Sequence, residues 1–168
     1  MNENTKNKLK TGFTVSRIGI DLCWSALFVA AVYLYLALVA NKEGMMNLLF
    51  VAVGLVVVGL VVFFVGRVMV GTQSRALYSK ANPSEEERAF AKAMYDLENK
   101  ASDANLASAV SRNTNNKVDD ALSGAAGMAV AGSYFSIGKK YMGANVLVNR
   151  IGLIVGLLIS LILLVINL

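Results

Sequence analysis

Three ionisable residues sit in or beside long apolar runs. Arg17 and Asp21 lie at the start of the first run, and Arg67 lies near the end of the second. Charge inside hydrocarbon is expensive and often serves proton or ion movement. Arg17 and Asp21 are four residues apart, so a helix places them on one face. Two antiparallel helices would bring Asp21 and Arg67 to a similar depth. The expected arrangement is an intramembrane ion pair of Asp21 with Arg67, Arg17 or both. A relay would need further polar groups through the bilayer centre, and the runs hold none there. A structural pair locking a helical hairpin near the headgroups is therefore the expected role, and leucine at position 21 should leave the fold intact.

Small residues form the second pattern. Gly152, Gly156 and Ser160 recur every four residues in the third run. Such spacing flattens one helix face and lets another backbone approach closely. Ala52, Gly59 and Gly66 recur every seven residues in the second run, which suits a left-handed helix contact. Ala26 and Ala30 offer a similar face in the first. Two uses stay open: packing within the chain, or contact with a partner subunit or a second copy.

Other chemistry is poorly supplied. The chain has no histidine, so His-based acid–base catalysis and His metal ligands are absent. Its one cysteine, Cys23, lies in the first run and reads as a small buried hydrophobe. No phosphate-binding glycine loop occurs, and no serine has an evident activating base. The expectation is no enzyme, no cofactor and no metal. The basic residues are interspersed with acids and lack a stacking motif, so no nucleic-acid partner is expected.

These residues are positioned by three apolar runs: Ile18 to Ala40, Asn47 to Val70 and Ile151 to Leu168. At about 1.5 Å per helical residue, each crosses most or all of a roughly 30 Å hydrocarbon core. The composition agrees, with 56% hydrophobic and 16% charged residues; soluble chains carry about 25% charge. The predicted fold is an all-α integral membrane protein with three transmembrane helices. An N-terminal hairpin spans 18–70, a C-terminal helix spans 151–168, and a cytoplasmic helical hairpin fills 71–150. The first run is too long for a signal-peptide core, so it reads as an uncleaved signal anchor. Trp24, Tyr33 and Tyr35 suit its two interfaces.

Residues 1–17 carry +3 (Lys6, Lys8, Lys10 and Arg17 against Glu3) and are read as polar and basic, with 1–16 mobile. The 41–46 loop has Lys42 as its only cation, whereas eleven cations face eight acids over 67–150. The positive-inside bias then predicts a cytoplasmic N-terminus, an external 41–46 loop, a cytoplasmic 71–150 region and an external C-terminus. The second helix can continue past Val70 through Lys80. Asn82-Pro83-Ser84 breaks it, and Ser84 with Glu87 fits a capping box opening a helix to about Arg112. Phe90, Met94, Leu97, Ala101, Ala104 and Ser108 give that helix an apolar stripe. Asp119 and Asp120 suit the start of a further helix, and Lys139 and Lys140 its end.

Between them, Ala121–Gly138 is uncharged but built from small residues such as Gly124, Gly127, Gly132 and Ser136. It could lie against the 84–112 helix, line a re-entrant cavity, or form a fourth span. A fourth span would place Lys139, Lys140 and Arg150 outside, against the charge bias.

The functional expectation is a non-enzymatic structural or assembly subunit of a multi-subunit membrane complex, of the kind found in secretion or conjugation machinery. It would sit in a bacterial cytoplasmic membrane and contact lipid, other membrane subunits or itself through small-residue faces. The alternative is an oligomeric pore or small transporter lined by 121–138.

Overall fold

The computed structural model describes the backbone of residues 1–38, 46–114, 117–143 and 151–167. Within them it describes the side chains outside 104–128, 151–152, 164 and 167. Five α-helices follow in order: α1 Glu3–Leu38, α2 Met46–Tyr78, α3 Glu85–Thr114, α4 Lys117–Met142 and α5 Ile151–Asn167. No strand occurs among the described residues. α1 and α2 are each long and apolar enough to cross a membrane. α5 has 17 residues, about 26 Å of helix, with a shorter apolar core over Leu153–Leu163.

α1 begins fifteen residues earlier than the apolar run does. The expectation that 1–16 is mobile is corrected: the segment is helical from Glu3. Leu9, Phe13 and Ser16 follow at spacings of four and three and are buried, so packing on one face outweighs the polar composition. α2 likewise runs past Val70 to Tyr78. Lys42 and Arg150 lie outside the described residues.

The chain divides into two compact units: Met1–Lys10 with Val70–Ala144, and Thr11–Met69 with Asn145–Leu168. In the first, α3 packs along α4. Phe90, Ala91, Met94 and Leu97 form the buried face of α3, and Tyr134 and Met142 that of α4. Phe90 meets Tyr141 edge to face at 5.6 Å between ring centres. Ala121–Gly138 is thus part of a helix lying against α3.

The start of α3 is a complete capping box. The Glu87 backbone N–H donates to Ser84 Oγ at 3.3 Å, and the Ser84 N–H donates to Glu87 Oε2 at 2.8 Å. Lys80 Nζ reaches the same carboxylate at 2.9 Å. Glu87 is buried, and the Ser84 backbone hydrogen bond, followed by the Lys80 side chain, holds its carboxyl down to about 2 from an ordinary 4.5.

In the second unit α1 and α2 run antiparallel. Ser16 meets Phe63 and Gly66, Gly19 meets Gly59, Cys23 meets Val56, and Tyr33 meets Met46. α5 runs in the direction of α1, with Gly156 over Ser25 and Leu163 beside the Val29, Leu36, Leu48 and Ala52 cluster.

Because folding depresses the Glu87 pKa, its stabilising effect is fully present above about pH 4.5 and is lost as pH falls toward about 2. Hydrogen exchange of the first α3 turn should accelerate through that window, and Glu87→Gln should remove the dependence. Ser84→Ala should cost about 1 kcal/mol of stability by thermal unfolding. A protein indifferent to both changes would show that the box does not stabilise α3.

Candidate functional site

The residues with the most demanding geometry are small ones, and they meet where α1 crosses α2. A methyl group added at Gly19 would strike the Phe63 backbone nitrogen and lie 2.5 Å from the Gly59 carbonyl oxygen. One at Gly59 would lie 2.7 Å from both Cys23 Sγ and the Gly19 carbonyl oxygen. One at Gly66 would strike the Ser16 backbone nitrogen and lie 2.6 Å from the Gly12 carbonyl oxygen. At each position backbone atoms are among the obstacles, and these cannot swing aside. Two main chains touch here, and only glycine permits it. Ser16 Oγ also donates to the Phe63 carbonyl at 3.4 Å.

Of the expected seam on α2, Gly59 and Gly66 face α1, and Ala52 is buried one heptad away. Ala26 is buried and Ala30 packs against the core cluster of Val29, Leu36, Leu48 and Ala52. On α5, a methyl at Gly156 would overlap Ser25 Oγ and Cβ, and Ser160 is buried with its hydroxyl donating to the Gly156 carbonyl at 2.8 Å. Ser25 does the same toward the Asp21 carbonyl, also at 2.8 Å. Gly152 lies in the first turn of α5, and its surroundings lie outside the described side chains. The small faces of all three helices therefore take part in contacts within one chain.

Sequence reasoning missed half of the α1 face. Gly12, Ser16, Gly19 and Cys23 are spaced four, three and four apart, and they carry the contact with α2. The signal was present but lay partly in the segment read as mobile.

Asp21 is fully buried, and Arg17 Nε lies 3.3 Å from Asp21 Oδ1. Arg67 is half-buried on α2, directly after Gly66. The pair thus sits within one helix at the start of the apolar run. Arg17 keeps a quarter of its side chain exposed, whereas Asp21 has none. The arginine can keep its charged head in contact with solvent along its own stem; the carboxylate cannot.

The 121–138 segment offers less. Gly132 and Ser136 are exposed, and nothing lies near the position of a Gly132 methyl. Gly124 and Gly127 lie outside the described side chains. In the first unit, Tyr78 and Tyr95 stack at 5.7 Å and 19° beside a groove of about 460 Å³ lined by Leu77, Pro83, Arg88 and Lys92. Neither tyrosine stood out in the sequence. Among the described residues, no group of three Cys, Asp or Glu side chains could hold a metal ion.

Two results should follow in a reversible unfolding assay in detergent or bicelles. Gly66→Ala should destabilise the hairpin by about 1–3 kcal/mol through overpacking, while Gly54→Ala, which meets nothing within 4 Å, should leave it unchanged. Equal effects would show that the close approach is not needed. Arg17→Leu should cost about 3–5 kcal/mol, because it strips a buried carboxylate of its arginine, whereas Asp21→Leu should cost far less. The reverse order would assign the burden to the arginine.

No protein family, no characterised protein and no solved structure matches this chain.

Proposed function

We propose that the chain is a multi-pass membrane protein with a structural, non-enzymatic role in a membrane assembly. One observation carries the membrane reading. The apolar windows of α1 and α2 are only 28% and 17% buried within the chain. A core helix of a soluble protein hides such a window; here Phe50, Val53, Val57, Val61, Phe64 and Val68 of α2 stand exposed. α5 presents Ile154, Leu158, Ile162 and Val165 in the same way. Helices satisfy their own backbone hydrogen bonds, so hydrocarbon is a compatible solvent for these faces and water is not.

In this reading α5 is a short third span beside α1. The direction of each helix supports three crossings, with α1 and α5 parallel and α2 opposed to both. The charge bias supports a cytoplasmic N-terminus and a cytoplasmic 71–150 region. The assembly role rests on the lack of a catalytic constellation and on an outer surface larger than one short bundle conceals. Since Gly59, Gly66, Gly156 and Ser160 are already occupied within the chain, neighbouring subunits would dock on the remaining apolar faces of α2 and α5.

Purification in mild detergent, with mass measurement, tests the role: a defined complex above the monomer mass is expected, and a monodisperse monomer would contradict it. Protease added to inside-out vesicles should cleave within 71–150, and protease outside sealed cells should not. The opposite pattern would overturn the topology.

A further inference from the structure

The α1 face turned away from its neighbours is chemically graded. Arg17, Trp24 and Ala31 follow at seven-residue spacing, within about 40° of one another at about 100° per residue. Tyr35, one turn further, keeps the same direction. Trp24 is 53% exposed, and Tyr35 and Ala31 are exposed as well. The face thus begins with a guanidinium at the edge of the apolar run and continues as an aromatic and aliphatic track.

A second guanidinium joins it. Arg17 follows Ser16 and Arg67 follows Gly66, and Ser16 and Gly66 are in direct contact. In an antiparallel pair the residues after two contacting positions turn to the same side, because reversing the chain also reverses the sense of rotation. Arg17 and Arg67 therefore flank one side of the hairpin at one level. Both are half-buried. The nearby acid, Asp21, is fully buried and holds Arg17 from the inner side at 3.3 Å. What this side offers to its surroundings at that level is cationic.

We propose that Arg17, Arg67 and Trp24 form a binding site for an anionic phospholipid. The lipid phosphate lies between the two guanidiniums, whose planar donors suit phosphate oxygens. One acyl chain follows Trp24, Ala31 and Tyr35. The inference rests on the membrane reading above and adds a ligand class to it. The close Ser16–Gly66 contact is what fixes the spacing of the two arginines.

Trp24 is the only tryptophan, so it reports on this face directly. The full chain would be reconstituted in phosphatidylcholine vesicles containing either brominated phosphatidylglycerol or brominated phosphatidylcholine, and Trp24 quenching measured against mole fraction. The expected relative association constant for phosphatidylglycerol is roughly fivefold or more above phosphatidylcholine, given the usual strength of a cation at an anionic surface. Arg67→Gln should bring the ratio toward one with helicity unchanged, and Arg67→Lys should retain part of it. Should Arg67→Gln fail to fold, added salt on the wild type replaces it and should lower the ratio without lowering maximal quenching. Added inorganic phosphate at matched ionic strength should leave the ratio unchanged. Equal quenching by both lipids overturns the site but not membrane insertion. Quenching by neither overturns the membrane reading itself. Loss of preference on adding phosphate would mark a free-anion site and overturn the lipid assignment.

Discussion

The bundle of the second unit depends on main-chain contact between α1 and α2 at Gly12, Gly19, Gly59 and Gly66. A helix pair packed through leucines keeps its axes about 8–10 Å apart. Removing the side chains at the crossing allows closer approach and many more dispersion contacts. In the proposed membrane setting this matters, because lipid tails are as apolar as leucine and burial of apolar area would offer no driving force. The remaining sources of stability are shape and polar contacts, and both are found along this line. Ser16 donates across it to Phe63, and the Cys23 thiol lies against Gly59.

The placement of the charged residues follows from the same contact. With one face of α1 committed to α2, Asp21 faces another direction and is buried together with the Ser25 side that receives Gly156 of α5. Burying a carboxylate requires compensation. Arg17 supplies it from the same helix four residues earlier, so the pair forms without waiting for tertiary structure. α5 then adds its own small position, and its serine returns its hydroxyl to the carbonyl four residues back. The outer faces of α2 and α5 keep large aliphatic residues such as Val57, Val61, Leu158 and Ile162.

Much of this was legible in the residue pattern. The seven-residue spacing of Ala52, Gly59 and Gly66 marks the seam of α2, because that period returns to one side of a helix. The Ser84–Glu87 pair marks the start of α3 because two side chains satisfy two backbone donors there. The first sixteen residues depart from their composition for an equally physical reason. Lysines dominate their composition, but helix formation was decided by Leu9, Phe13 and Ser16 on a single face. Arg17, Arg67 or both were open as partners of Asp21, since depth along a hairpin does not say which way a side chain turns; Arg17 lies 3.3 Å from it. Alanine, glycine and serine in 121–138 contribute too little transfer energy to distinguish membrane, cavity or helix packing; the fold adds that the segment belongs to α4, which packs along α3.

The main-chain contact can be tested with the single native cysteine. Cys23 Sγ lies 3.8 Å from the Val56 carbonyl oxygen, and Gly54 opens onto empty space. In native membranes under mild oxidant, Val56→Cys should give an intrachain disulfide with Cys23, whereas Gly54→Cys should leave both thiols free. Equal cross-linking of the two variants would contradict the close antiparallel approach of α1 and α2.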